Sequence, residues 1–144
     1  MVVVQKTMSD STQSRAKIHQ RVRRQHSSEL AQDYVEAIYE ILEKGIPVSV
    51  TSLQEIFGVS HVTVIRTLKR LEEQELITDT RSKKIELTAE GKRIAKAAAA
   101  KHGLLKNFFV ALGVSEGQAD ADAEGAEHHL SEETLTAIRK FLDK

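Results

Sequence analysis

Apolar side chains recur every three or four residues from Leu30 to Leu42, which is the spacing of one face of an amphipathic helix. Gly45 and Pro47 follow directly and interrupt this pattern. The pattern predicts a first helix over about residues 28–44.

Two shorter apolar runs predict a pair of helices joined by a tight turn. The first run begins at Thr51 or Ser52, either of which is suited to cap a helix, and it ends before Gly58. The second run follows Ser60, another candidate cap, and continues to about residue 75. Two short helices around a glycine-containing turn are typical of a helix-turn-helix.

A β-hairpin is predicted directly after this motif. Residues 76–80 and 84–88 have the composition of two short strands, and the polar turn Arg81-Ser82-Lys83 separates them. A hairpin in this place would be the wing of a winged helix.

Three further helices are predicted in the rest of the chain. Thr88 is suited to cap a helix over about residues 88–112, and Ser115 and Ser131 are suited to cap the two that follow. The predicted fold class is therefore mainly α. An N-terminal winged helix-turn-helix with a small β-hairpin wing is followed by an all-helical domain.

Composition limits the classes of protein that fit. The 144 residues are 40% apolar, which is enough for one folded domain or two small ones sharing a core. The chain has no Cys, so disulfides, thiolate metal sites and cysteine nucleophiles are excluded, as is typical of a reducing compartment. Neither a signal peptide nor a membrane span is recognisable, and we expect a soluble, cytoplasmic protein with no membrane partner.

The charges balance overall, at 21 Lys and Arg against 21 Asp and Glu, but they are unevenly distributed. Residues 1–28 hold six basic side chains and one acid, Asp10, whereas residues 113–138 hold seven acids and no Lys or Arg. We expect the basic segment to be a flexible N-terminal arm. Two roles stay open for it: a solubilising tail, or an arm that lies along phosphates.

A polar stripe follows the helix predicted after Ser60. Thr63, Arg66, Thr67 and Arg70 stand at i, i+3, i+4 and i+7 and share one side of this helix. The side expected to face the core carries Val62, Val64, Ile65, Leu68 and Leu71. Arg pairs with guanine or phosphate in a major groove, so the stripe predicts contact with double-stranded DNA, although a merely solvated face is the alternative. Further candidates for DNA contact are Ser60, His61, Arg81, Lys83 and Lys84.

The acidic region contains side chains with metal-ligand spacing. Glu124, Glu127 and His128 stand at i, i+3 and i+4 and project from one face of a helix. Packed together, two carboxylates and an imidazole repel and lose solvation unless a cation joins them. Candidate ligands from two other predicted helices are Asp33, Glu36 and His102. Such oxygen and nitrogen donors suit a divalent cation.

The stretch from Glu124 to Ser131 reads Glu-Gly-Ala-Glu-His-His-Leu-Ser. Together with the candidate ligands and the winged helix, it resembles the manganese transport regulators (MntR) of the DtxR family of iron-dependent repressors, over about residues 29–142. The resemblance implies a homodimer that binds operator DNA.

The resemblance also implies a division of the chain. A winged-helix DNA-binding domain would occupy residues 29–95, and a helical metal-binding and dimerisation domain residues 96–144, after the arm of residues 1–28. The third, SH3-like domain of longer members is not expected.

The metal site follows from the same resemblance. About two Mn²⁺ ions per subunit would lie between the domains, held by Asp33, Glu36, His102, Glu124, Glu127 and His128. Iron-sensing relatives typically place Met and Cys where this chain has Asp33 and Glu127, and carboxylates in their place favour Mn²⁺. Fe²⁺ is the alternative, and Zn²⁺ or other divalent ions are also possible.

The expected function is a manganese-responsive transcriptional regulator that represses manganese uptake genes. We expect no enzyme activity and no organic small-molecule substrate, since the inverted zinc-protease motif needs His where Glu124 stands. A phosphate loop and a nucleophile elbow are also absent from the sequence. An Fe²⁺-responsive regulator of the same family and a metal-independent winged-helix regulator stay open as alternatives.

Overall fold

The structure is a computed structural model that describes residues 2–78 and 84–144, with side chains from residue 11 onwards apart from that of Gln25. Residues Met1–Leu30 form one compact unit, and Ala31–Lys144 form a second. The described helices are α1 (Val2–Glu43), α2 (Val50–Phe57), α3 (His61–Glu73), α4 (Ala89–Ala111), α5 (Glu116–Ala126) and α6 (Glu132–Leu142).

Helix α1 is much longer than the sequence pattern predicts. It begins at Val2, so the predicted start near residue 28 is wrong, whereas the flexible arm over residues 1–28 stays a prediction. The physical reason is that neither Gly nor Pro occurs before Gly45, so nothing in the backbone interrupts the helix. The periodicity missed this segment because its described side chains are exposed and present no apolar face to a core. The predicted domain limits at residues 29–95 and 96–144 stay predictions.

Helices α2 and α3 form the predicted helix-turn-helix. Ser49 caps α2, in place of the predicted Thr51 or Ser52: its hydroxyl accepts from the Ser52 amide at 3.0 Å, and the Ser52 hydroxyl accepts from the Ser49 amide at 3.1 Å. Gly58 ends α2 in the left-handed region at φ 62°, which favours glycine. Ser60 caps α3 as predicted.

A buried apolar cluster holds the second half of α1 against the helix-turn-helix. The ring of Tyr34 stacks on that of Phe57 with centroids 4.1 Å apart. Ile38 from α1, Leu53 from α2 and Leu71 from α3 are buried in the same cluster. Burial of this apolar surface sets the orientation of α1 and so determines which of its faces are left for other contacts.

The structure does not show the predicted hairpin wing. The described residues of 76–78 and 84–88 contain no strand, and a single antiparallel bridge joins Ile77 to Leu87. The pairing does not continue past Leu76 and Thr88, because the backbone turns at Glu75, with φ 58°, and because Thr88 already caps α4. Residues 79–83, which include the predicted tip with Arg81 and Lys83, lie outside the described residues.

Helix α4 connects this cluster to a second one. Ala95 near its start is buried in the first cluster, and Leu105 is buried with Leu135 and Ile138 of α6 in the second. The three predicted caps of α4, α5 and α6 are confirmed, since Thr88, Ser115 and Ser131 each accept a backbone N–H of the first helical turn. None of the described helices has the length and apolar composition that a membrane span requires.

Replacing Gly91 by Ala is expected to destabilise the fold by about 1–3 kcal/mol, because overpacking a tight contact forces the backbone to move. Gly91 is buried in the first turn of α4, where an added methyl group would overlap with the backbone carbonyl of Leu76. Urea unfolding measures the effect.

Gly103→Ala is the matched control in the same helix, because open space surrounds Gly103 and Ala favours helices by up to about 1 kcal/mol. Equal free energies of unfolding for the two variants would contradict the described packing of α4.

Candidate metal centre and nucleic-acid interface

Four parts of the fold bring the six candidate ligands together. Helix α1 carries Asp33 and Glu36 on a side that the Tyr34 cluster leaves uncovered. Helix α4 carries His102, and α5 with its C-terminal cap carries Glu124 and Glu127. His128 follows directly after that cap.

Glu127 is the centre of the arrangement and is only 3% exposed. One of its oxygens, Oε1, lies 3.5 Å from His128 Nε2, and the other, Oε2, lies 3.0 Å from His102 Nδ1. Potential ligand atoms of Asp33, Glu127 and His128 lie within 4.8 Å of one another, as do those of His102, Glu124 and Glu127. The two groups therefore share one carboxylate.

Each histidine is anchored through one ring nitrogen and turns the other toward carboxylates. His102 Nε2 lies 2.7 Å from Asp120 Oδ1, and a carboxylate in this position accepts a hydrogen bond from that nitrogen. His102 Nδ1 then faces Glu127 Oε2 at 3.0 Å and Glu124 Oε2 at 3.4 Å. In a neutral imidazole this second nitrogen is a lone-pair donor, which is the form that binds metals.

His128 repeats this arrangement on the other side of Glu127. Its Nδ1 lies 3.1 Å from the side-chain oxygen of Gln32, and its Nε2 lies 3.1 Å from Asp33 Oδ1. Gln32 and Asp120 therefore orient the two rings, and hydrogen bonds of this kind set the orientation of metal-ligating histidines in general. The sequence pattern does not identify either residue, although Asp120 stands four residues before Glu124 on the same face of α5.

Glu36 belongs to neither group of three but borders the same site. It lines a cleft of about 390 Å³ together with Asp33 and Glu124. Burial raises the pKa of Glu36 to about 7, with further contributions from the negative charges of Glu127 and Glu124.

The pKa values show how strongly the site disfavours its own negative charges. Burial, followed by the charge of Glu124, raises the pKa of Glu127 to about 7. Burial lowers the pKa of His102, but the hydrogen bonds with Asp120 and Glu127 outweigh it and the net shift is upward. Either protons or a cation must therefore compensate this cluster, and oxygen and imidazole donors at these distances fit a divalent cation.

Helix α3 presents most of the predicted DNA-contacting residues to solvent. His61, Thr63, Arg66 and Arg70 are exposed, as are Ser60 before the helix and Lys84 after residue 83. The Ser60 hydroxyl already accepts the Thr63 amide as the helix cap. Arg81 and Lys83 lie outside the described residues.

The predicted stripe is wrong at Thr67, which is only 7% exposed. Its hydroxyl donates to the Thr63 carbonyl at 2.9 Å, which satisfies the polar group within the helix and allows the side chain to face the core. Conversely, Val62 and Ile65 were assigned to the core but are 63% and 45% exposed. The exposed face of α3 thus also includes Val62, Ile65 and Lys69, and apolar side chains of this kind contact thymine methyl groups in a major groove.

Comparison with known proteins adds the family context. Residues 26–84 match the family described as iron dependent repressor, N-terminal DNA binding domain, and residues 88–144 match the iron dependent repressor metal binding and dimerisation domain. The transcriptional regulator MntR of Escherichia coli O157:H7 is 42% identical over 123 residues, covering 85% of this chain and 79% of that protein. The HTH-type transcriptional regulator MntR of Bacillus subtilis strain 168 is 32% identical over 107 residues, covering 74% of this chain and 75% of that protein.

Solved structures share the fold. A manganese-dependent transcriptional repressor in complex with manganese has a TM-score of 0.71 and 33% identity, covering 78% of this chain and 52% of that one. The manganese regulator SloR has a TM-score of 0.69 and 27% identity, covering 78% of this chain and 53% of that one. This chain therefore spans about half the length of these two solved structures.

The free energy of unfolding is expected to fall as the pH rises from 4.5 to about 7 when divalent cations are removed by a chelator. The pKa values of Glu36 and Glu127 are higher in the folded chain than in the unfolded chain, so the folded state binds more protons. Stability is then full below the unfolded pKa and is lost as the pH rises through the folded one. Urea unfolding across this pH range should show a loss of about 2–4 kcal/mol.

Glu127→Gln should reduce this dependence to the contribution of Glu36, because an amide keeps the shape of the side chain and does not titrate. Glu133→Gln, at an exposed position of α6, is the matched control and should behave like the unchanged chain. A stability that rises with pH over this interval, or falls equally in both variants, would count against the described electrostatics.

Proposed function

Because this chain belongs to the manganese transport regulators of the iron-dependent repressor family, we propose that it represses transcription of manganese uptake genes when Mn²⁺ fills its metal site. The observation that carries the proposal is the position of Glu127 between two oriented histidines. Each of its carboxylate oxygens faces a different imidazole nitrogen.

The residues that would hold the metal form two ligand sets with Glu127 in common. One set comprises Asp33, Glu127 and His128, and the other comprises His102, Glu124 and Glu127. Glu36 borders both from α1, so we assign it as a further carboxylate ligand. Two sets with a shared carboxylate support a stoichiometry of about two ions per subunit. When bound, a divalent cation supplies the positive charge that these carboxylates lack.

The ligand distribution supports a coupling between the metal site and DNA binding. Asp33 and Glu36 lie on the segment of α1 whose Tyr34 packs on Phe57 of the helix-turn-helix. Glu127 and His128 follow α5, which packs on α4. Without compensation, the carboxylates of α1 and α5 repel one another, and the angle between the DNA-binding helices and the rest of the subunit is free to vary.

The dimer completes the proposed switch. The family includes a metal binding and dimerisation domain, so two copies of α3 would be presented to the operator together. Successive major grooves on one face of DNA are about 34–36 Å apart, and the two helices must hold that separation to bind both half-sites. A differential interaction of a few kcal/mol, on the order of 1–3, is sufficient to shift such an equilibrium.

The proposed DNA interface is the exposed face of α3 with the segment that follows it. Arg66 and Arg70 would contact bases or phosphates, and His61, Thr63 and the helix N-terminus at Ser60 would contact the backbone. Arg81, Lys83 and Lys84 would contact phosphates beside the groove. Thr67 is left out of this interface because it is buried.

The choice of Mn²⁺ over Fe²⁺ rests on the donors. All six ligand side chains offer oxygen or imidazole nitrogen and none offers sulfur. Mn²⁺ binds such a site more weakly than Fe²⁺ or Zn²⁺ does, so affinity by itself does not select it. Selectivity would then depend on the coordination that closes the site and on the availability of each ion.

Glu127→Gln is expected to abolish Mn²⁺-dependent operator binding. Loss of a ligand common to both sets should weaken Mn²⁺ binding by more than about 100-fold, since loss of the groups that orient ligands already costs 10–100-fold. Titration calorimetry measures the stoichiometry and affinity, and DNA shift assays with Mn²⁺, Fe²⁺ and Zn²⁺ measure the response. Glu133→Gln is the matched control. Undiminished metal dependence in Glu127→Gln would overturn the proposed function.

Arg66→Ala is expected to weaken operator binding by about 1–3 kcal/mol, or about 5- to 150-fold, if Arg66 reads a base. Its Mn²⁺ stoichiometry should not change, because α3 carries none of the ligands. Lys140→Ala on the exposed side of α6 removes one positive charge elsewhere and serves as control. Equal affinities of the two variants for the operator would exclude Arg66 from the interface.

A further inference from the structure

The first unit of the chain carries a concentrated positive charge that the proposed function does not use. Residues 11–28 contain five Lys and Arg side chains, two His and no acid. All of their described side chains are exposed, and the segment is helical throughout as part of α1. Residues 1–25 also lie outside both matched family regions, so the family's known domains do not account for this charge.

Helical spacing sorts these charges into two stripes. Lys17, Arg21 and Arg24 stand at i, i+4 and i+7 on one side of the helix, and Ser28 continues this stripe at i+11. A second stripe is formed by Arg15, His19, Arg23 and His26, and its last member faces Glu29 at 3.7 Å. Only the first stripe carries three permanent positive charges.

The charge and exposure of this segment favour a polyanion as its partner. Ile18 and Val22 are its two large apolar side chains among the described residues, which is too little apolar surface for stable insertion into a lipid bilayer. Both buried clusters draw their described members from Ala31 onwards, so the segment does not serve to complete a core. DNA is the polyanion that a regulator of this family already binds.

We propose that residues 11–28 form a second, sequence-independent DNA contact, in which Lys17, Arg21 and Arg24 lie on backbone phosphates of the duplex that flanks the operator. The inference rests on the proposed DNA-binding function and extends it to a new surface. An 18-residue helix is about 27 Å long, which matches about eight base pairs of duplex at 3.4 Å each.

Salt dependence measures phosphate contacts directly. Each contact contributes about 0.9 to the slope of log affinity against log salt concentration, because its formation releases condensed counterions. Arg21→Gln/Arg24→Gln should therefore lower the slope by about 1.8 per arm. For each arm that contacts the duplex, its affinity should fall about tenfold less than that of the unchanged chain between 50 and 200 mM salt.

Arg15→Gln/Arg23→Gln is the matched control, because it removes the same two guanidinium groups from the other stripe of the same helix. We expect its slope to stay near that of the unchanged chain. Both variants are made in the full-length chain at saturating Mn²⁺, with circular dichroism to verify that the helix is retained. Each is measured on an operator with about ten base pairs of unrelated flanking duplex and on the operator without flanks.

The proposal requires that only Arg21→Gln/Arg24→Gln lowers the slope, and only on the flanked operator. Equal slopes for all three proteins would overturn the proposal. Equal reductions in both variants would also overturn it, because the slope would then depend only on net charge. Tighter binding to phosphatidylserine vesicles than to flanking duplex would identify a membrane as the partner instead. Failure of the proposed function would appear separately, as Mn²⁺-independent binding of the operator without flanks.

Discussion

The carboxylate of Glu127 is buried and needs a compensating charge, and the candidate metal site is built around this constraint. Its two oxygens face His102 and His128, while further carboxylates approach from α1 and α5. Burial and the neighbouring charge of Glu124 raise its pKa to about 7, so near neutral pH the side chain is poised between protonation and ionisation. A buried carboxylate in this state destabilises the fold unless its charge is compensated. The arrangement therefore fits a cation-binding site better than a packed core.

Helix α1 connects this site to the DNA-facing helices through adjacent residues. Tyr34 is buried against Phe57, whereas Asp33, one position earlier, faces His128 at 3.1 Å. Successive helical positions point about 100° apart, so a single turn of α1 serves both the apolar core and the polar site. The polar site and the packing against α2 and α3 are therefore joined within one turn of α1, without an intervening loop.

Local signals in the sequence predict most of this fold. Serine and threonine caps at Ser60, Thr88, Ser115 and Ser131 are confirmed because capping depends on only three or four neighbouring residues. The spacing of Glu124, Glu127 and His128 predicts one helix face, but α5 ends at Ala126, so Glu127 caps this helix and His128 lies beyond it. Thr67 was misassigned because polarity does not reveal a hydroxyl that is satisfied inside its own helix. The early start of α1 is not predicted because apolar periodicity reflects burial on one face, and a fully exposed helix shows no such periodicity.

The hydrogen bonds that orient the two histidines cannot be predicted from the sequence pattern. Asp120 and Gln32 act on rings that come from other helices, 18 and 96 residues away, so only the assembled fold reveals them. They matter because an unanchored imidazole can turn either nitrogen into the site, whereas an anchored one presents one defined nitrogen there. Each ring thus adds direction to a site in which the carboxylates supply mainly charge. A cation that binds only this folded arrangement stabilises it by mass action, and the relative positions of α1 and α5 become part of the binding equilibrium.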